Sequence, residues 1–219
     1  VCSHGLVRSW SIVVPAKRLA VAKTRLRPLT TTLPGTAHDE LVLALLADTV
    51  AAAGACPAVG AVVVVTDDTA ATAVARGLGA RTVGDEPDRG LNPALEHGAR
   101  EAGGPLVAAL SSDLPALRPD ELARALDAAA TTAPRCFVSD AHGTGTTLLT
   151  AVDTDLGPRF GPGSAAAHRA SGARALSGSW PGLVQDVDTE ADLRAAQALG
   201  VGPHTAALLE RLRGACTGS

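Results

Sequence analysis

Asp113 stands just beyond a short apolar run, Leu106–Leu110, inside the stretch Ser111-Ser112-Asp113-Leu114-Pro115. A carboxylate at the carboxyl tip of a buried strand faces the crevice where open α/β sheets bind ligands. A hard divalent cation such as Mg²⁺, which prefers carboxylate oxygens and keeps several waters, is its natural partner. A turn or capping aspartate has the same local signature. Asp186 and Asp188, in Gln185-Asp186-Val187-Asp188-Thr189, form a second acidic group. If Leu183–Asp188 is extended, both carboxylates point to one side, because strand side chains repeat with period two. Two like charges so close call for a cation between them. The alternative is that Asp188 or Thr189 caps the helix that follows.

Basic residues suggest a complementary role. Lys and Arg together number 19, yet only Lys17 and Lys23 are lysines, and both fall in the segment 17–27 with Arg18, Arg25 and Arg27. An ammonium on a rotatable stem turns toward phosphate oxygens in a way that the planar fork of Arg does not match. A basic loop placed after the first strand can hold a triphosphate and neutralise charge as phosphorus is attacked. Chance, or a solvated charge run, is the plainer reading.

Two glycine-rich turns carry hydroxyls, His142-Gly143-Thr144-Gly145-Thr146-Thr147 and Arg159-Phe160-Gly161-Pro162-Gly163-Ser164. Exposed backbone N–H groups in such turns, with Ser or Thr beside them, make anion nests. Ordinary surface turns share the composition. Neither turn matches G-x-x-x-x-G-K-[ST] or a G-x-G-x-x-G that opens a helix after the first strand. Ser111 and Ser112 lack the G-x-S-x-G elbow, and the six His residues are scattered. P-loop NTPases, dinucleotide dehydrogenases and serine hydrolases are therefore disfavoured.

The elements that must position these groups follow from periodicity. Short apolar, β-branched runs predict strands at 11–15, 61–66, 80–83, 106–110, 136–139, 146–152 and 183–187. Helical spacing and breakers predict helices at 39–53 (closed by Gly54), 67–78, 92–101, 119–130 and, as the last, 190–199. Residues 153–182 carry little periodicity. The alternation predicts a single Rossmann-like α/β domain over 1–219, with 1–9 and 214–219 frayed. Its sheet should be mostly parallel with helices on both faces. The loops after Val14, Thr66, Leu110, Val152 and Val187 should then share one edge.

Composition narrows the partners. The chain has two Phe, two Trp and no Tyr, so aromatic platforms for single-stranded nucleic acid are lacking. A net charge of −3 argues against binding through nucleic-acid phosphates. Cys2, Cys56, Cys136 and Cys216 show no metal-ligand spacing and read as free thiols of a reducing compartment. No apolar run approaches the ~18–20 residues that span a bilayer, and the amino terminus has no signal-peptide pattern. A cytoplasmic protein without membrane or nucleic-acid partners is expected, and a homodimer is compatible with it.

The chain resembles the phosphoenolpyruvate / 2-phospho-L-lactate guanylyltransferase family of coenzyme F-420 biosynthesis. The matching stretches are Val14-Pro-Ala-Lys-Arg-Leu-Ala-Val-Ala-Lys-Thr-Arg-Leu26, Ser112-Asp-Leu-Pro-Ala-Leu117, Gly143-Thr-Gly-Thr146, Pro158-Arg-Phe-Gly-Pro-Gly-Ser164 with His168-Arg169, and Asp186-Val-Asp-Thr189. They are spread in order over nearly the whole chain. A wider resemblance, to nucleotidyltransferases with a glycosyltransferase-A-like fold, covers the architecture and the acidic sites. Ala16–Ala22 stands where that wider family has a glycine-rich first loop. The resemblance implies transfer of GMP from GTP to phosphoenolpyruvate, giving enolpyruvyl-diphospho-guanosine and pyrophosphate. It implies Mg²⁺ on Asp113, Asp186 and Asp188, with Lys17, Thr146, Gly161 and Ser164 on the acceptor. Lys23, Arg25 and Asn92 are assigned to the nucleotide. The same reaction on 2-phospho-L-lactate or 3-phosphoglycerate remains an alternative. So do a DxD-type, metal-dependent glycosyltransferase and a non-catalytic nucleotide-binding module.

Overall fold

The computed structural model of the protein describes residues 9–16, 37–86 and 88–217. Lys17, Lys23 and Arg25 lie outside the described residues, as does Cys2. Seven strands form one sheet: β1 (Trp10–Pro15), β2 (Val59–Val65), β3 (Arg81–Val83), β4 (Leu106–Leu110), β5 (Arg135–Ser139), β6 (Thr146–Val152) and β7 (Arg174–Ala175). Their order across the sheet is β3-β2-β1-β4-β6-β5-β7. β1 pairs in parallel with β2 and β4, β2 with β3, and β5 with β7; β6 runs antiparallel to both neighbours.

The helices are α1 (Ala37–Gly54), α2 (Thr69–Gly77), α3 (Leu91–Ala102), α4 (Pro119–Thr132), α5 (Ser164–Ala170), α6 (Pro181–Val184), α7 (Glu190–Leu199) and α8 (Pro203–Thr217). They cover both faces because β1 alternates. Ile12 and Val14 join the core that contains Leu46 and Val50 of α1, Ala71 of α2 and Leu122 of α4. Val13 points the other way, with Val65, into the core built from Ala94 and Leu95 of α3 and Ala165 of α5. A third cluster joins Leu41 and Leu45 of α1 to Leu193 of α7 and Leu208 of α8. α1 is therefore apolar almost all round, being buried between the sheet and another helix.

Four expectations change. First, the hairpin turn after β5 reverses β6, so Thr146 at its start, not Val152 at its end, lies at the carboxyl edge of β4. Second, residues 183–187 are not a strand: Pro181–Val184 is a single helical turn that leads into an irregular segment. The Glu121 carboxylate accepts the Gly182 N–H at 2.9 Å and draws the turn onto α4. Third, residues 153–182 hold α5 and the two-residue β7. Fourth, α7 is not the last helix. α8 follows it, and its start is capped from a distance, as Asp48 of α1 accepts the N–H groups of His204 (3.0 Å) and Thr205 (2.9 Å). No described helix is long and apolar enough to cross a membrane. Cys56 and Cys136 are free and buried, and burial pushes both thiols up.

Candidate active site

The segment after β4 is the hub. Ser111 donates its N–H to Thr147 O (2.8 Å) and its hydroxyl to Thr146 O (3.4 Å), fixing it to the start of β6. Asp113, itself buried, accepts the Val187 N–H on its carbonyl at 3.1 Å. Leu114 donates to the hydroxyl of buried Thr49 (2.9 Å), and Pro115 accepts from Gly202 N (2.8 Å). Asp113 is thereby set between Thr146 on one side and the Asp186–Asp188 segment on the other. This juxtaposition closes a sequence gap that no local pattern spans.

Asp186 is half-buried and Asp188 exposed. The helix cap there is Thr189, which accepts the Asp192 N–H, while Asp192 reaches back to Thr189 N (2.8 Å) and to Asp188 N (3.3 Å). Capping therefore falls to Thr189, not Asp188. Burial alone would push the Asp192 carboxyl up; hydrogen bonds from Thr189, Asp188 and His142 outweigh it and hold it below the usual range. His142 Nε2 lies 3.4 Å from Asp192 Oδ1, and Ala141 N donates to Val184 O at 2.8 Å, so the β5–β6 turn is tied to this segment. Among the described residues, no three His, Cys, Asp or Glu side chains converge as a metal-binding group. Asp113 and the Asp186–Asp188 segment are joined through the backbone, and the side chains they bring to this edge are hard carboxylates. That suits Mg²⁺, which takes one or two protein carboxylates and fills its octahedron with water and substrate phosphate.

The two glycine-rich turns differ. In the first, Asp140 folds its carboxylate back to accept Thr144 N (2.9 Å) and Gly145 N (2.8 Å). A Cβ on Gly145 would run into that carboxylate and push it off the turn. The nest read from the sequence exists, but its anion is the protein's own, and its donors are not open to a ligand.

In the second turn, Gly161 (φ +133°) and Gly163 (φ +71°) take conformations that L side chains rarely adopt. Arg159 N–H donates to His168 Nε2 at 2.9 Å, and Phe160 N–H donates to Asn92 Oδ1 at 2.7 Å. Asn92 Nδ2 returns a bond to Phe160 O at 3.0 Å. The Gly161 N–H and the hydroxyl of buried Ser164 have no hydrogen-bond partner among the described residues. Ala165 N donates to Thr144 O (3.1 Å), bringing the start of α5 beside Thr146. Thr146 Oγ1 lies 2.9 Å from His168 Nδ1. Half-buried Arg135 fastens the approach to the turn through Leu156 O (2.9 Å), Gly157 O (2.7 Å) and Ser171 O (3.2 Å).

Asp113, Asp186, Asp188, Thr146, Gly161, Ser164 and Asn92 thus belong to one connected region, while Lys17, Lys23 and Arg25 fall outside the described residues. Sequence reasoning missed the part played by His168. Burial, with Arg135 and Arg159 nearby, pushes its imidazole down to about 4. Only its place after the second turn hinted at it. A recess lined by Val50, Gly54, Val59, Leu78 and Ala80 opens at the opposite end of the strands and holds no polar side chain.

A mixed sheet of this kind is the fold of solved nucleotidyl transferases and nucleotide-diphospho-sugar transferases. The chain is similar to a putative nucleotide-diphospho-sugar transferase from Desulfovibrio desulfuricans G20, with a TM-score of 0.68 at 16% identity, over 92% of this chain and 94% of that one. It is similar also to a nucleotidyl transferase from Methanothermobacter, with a TM-score of 0.57 at 21% identity, over 87% and 97%. The guanylyl transferase CofC like family matches residues 10–216, and the chain belongs to that family. The phosphoenolpyruvate guanylyltransferase of Geodermatophilus obscurus is 73% identical over 205 residues, 93% of this chain and 95% of that protein. The one from Streptomyces coelicolor is 56% identical over 209 residues, 93% and 97%.

Proposed function

We propose that the protein transfers GMP from GTP to phosphoenolpyruvate, as the names of its relatives say of them. A phosphate oxygen of the acceptor attacks the α-phosphorus of GTP in line. The new P–O bond makes enolpyruvyl-diphospho-guanosine, the α–β bridging bond breaks, and pyrophosphate leaves. The attacking phosphate is already ionised, so the enzyme moves no proton and forms no covalent intermediate. Its work is positioning and charge neutralisation.

The observation that carries this reading is the Val187 N–H to Asp113 O bond, which joins the two acidic groups beside the open donors of the second turn. One or two carboxylates drawn from Asp113, Asp186 and Asp188 would hold Mg²⁺, whose charge would offset that of the phosphates. Thr146, Gly161 and Ser164 hold the acceptor's phosphate, with Lys17 as a further contact. Lys23 and Arg25 are assigned to the triphosphate. The product belongs to coenzyme F-420 biosynthesis, in keeping with the family.

The test is GTP and Mg²⁺ with phosphoenolpyruvate, 2-phospho-L-lactate or 3-phosphoglycerate, followed by pyrophosphate release and product mass. Pyrophosphate should appear only with a phospho-acid, fastest with phosphoenolpyruvate. Release with no acceptor present, or none with any of the three, would overturn the reading.

A further inference from the structure

We infer that His168 and Asn92 are the positioning residues of the acceptor site, aiming the Thr146 hydroxyl and the Gly161 N–H at the acceptor's phosphate. The inference rests on the reading that these two groups bind that phosphate.

The chemistry of the partners fixes the imidazole. A backbone N–H can only donate, so Nε2, 2.9 Å from Arg159 N, must present a lone pair. A neutral ring then carries its proton on Nδ1, which faces Thr146 Oγ1 at 2.9 Å. Thr146 Oγ1 accepts that proton's hydrogen bond. Its own hydroxyl proton is thus directed elsewhere, which makes it a donor to an anionic oxygen. An imidazolium would set Nε2–H against Arg159 N–H, two donors face to face, so this site selects the neutral ring.

The setting holds the ring in that pose. His168 is fully buried. The chain's two Phe residues both pack against it: Phe137 at 5.9 Å between centroids and Phe160, edge-on, at 5.1 Å. A chain this poor in aromatics spends both phenyl rings on one imidazole.

Asn92 sets the second donor. Its Nδ2 holds Phe160 O, and that carbonyl shares a peptide plane with the Gly161 N–H. In a trans peptide the N–H points opposite to the C=O, so holding the carbonyl toward α3 turns the Gly161 N–H away from it. Asn92 spends its carboxamide oxygen on Phe160 N at the same time. The residue therefore acts on the acceptor turn.

Two measurements test the inference. Nitrogen-resolved NMR of the histidine rings in the wild-type protein, with the His168 signals assigned by their loss in His168→Gln, should show His168 protonated at Nδ1 and bare at Nε2 at neutral pH. The opposite tautomer, or an imidazolium, overturns the assignment without need of an active variant. The second is a double-mutant cycle on the acceptor's Michaelis constant. His168→Gln keeps an acceptor for Arg159 N–H but replaces the ring-fixed Nδ1–H donor to Thr146 by a rotatable carboxamide NH2. It and Thr146→Val should each raise that constant about tenfold, and the double variant should be little worse than either, with the GTP constant unchanged. Additive losses, or a GTP constant that moves with the acceptor's, overturn the role of His168. Asn92→Ala should raise the acceptor constant in the same selective way; a selective rise in the GTP constant would instead make it a nucleotide contact. If Thr146→Val alone leaves the acceptor constant unchanged, the acceptor-site reading itself falls.

Discussion

The turns at 140–145 and 159–164 look alike as sequence, each with two glycines and a hydroxyl residue, yet they fold to opposite ends. The first wraps its N–H groups around the Asp140 carboxylate, at 2.9 and 2.8 Å. The second has its own backbone groups held from behind, by His168 on Arg159 and Asn92 on Phe160, and leaves Gly161 N–H and Ser164 Oγ for something outside. The difference lies in what surrounds each turn. A nest with a carboxylate at its own start fills itself, and a nest clamped by neutral groups keeps its field for a ligand.

Three substitutions and a titration probe the contrast, beginning where both turns converge. Asp113→Asn should cut turnover at least a hundredfold, a barrier rise above roughly 2.7 kcal/mol. The fold should persist, since the bond to Val187 runs through the Asp113 carbonyl, which the substitution keeps. Steady-state assays with a thermal melt check both halves. Ser164→Ala should raise the acceptor's Michaelis constant about ten- to hundredfold and alter that for GTP far less, through loss of a charged hydrogen bond worth about 1.5–3 kcal/mol. Rates measured with each substrate varied in turn decide it, and a shift in the GTP constant alone would reverse the assignment.

The titration concerns His168, whose folded value near 4 lies below the ordinary 6.5. Between those values the unfolded chain binds the more protons, so stability rises with pH across the window. It is complete above about 6.5 and is lost as the pH falls toward 4, on the order of 2 kcal/mol by pH 5. Urea unfolding at pH 5 and pH 7 should show this slope in the wild type and a shallower one in His168→Gln. The smallest effect is expected in the self-filled turn. Asp140→Ala should cost about 1 kcal/mol of stability and leave the acceptor constant nearly unchanged, as unfolding curves and kinetics on one preparation would show.

Much of this was legible in the sequence, for reasons that also explain the failures. Ile12 to Val14, Val62 to Val65 and Leu106 to Leu110 are buried strands because nothing but a two-sided core suits such runs. Asp113 was readable as a strand-tip carboxylate by its place after one of them. The 183–187 run misled because its composition suits a strand, while a carboxylate 61 positions away in sequence, Glu121, pulls Gly182 N–H into a helical turn. α8 was missed because its cap comes from Asp48, 156 positions before His204. His168 left no spacing signature, since its partners, Thr146 at the start of β6 and Arg159 in the second turn, meet only in the fold. Local signals predicted elements; a carboxylate of its own closes the first turn, and Asn92 from a distant segment helps hold the second open.

The most direct measurement is a crystal structure with phosphoenolpyruvate bound. The account predicts the phosphate at the second turn, with oxygens about 3 Å from Thr146 Oγ1, Gly161 N and Ser164 Oγ, and Asp140 still closed on Thr144 and Gly145. A phosphate seated in the 140–145 turn, or anywhere that leaves Ser164 without a ligand contact, would contradict it.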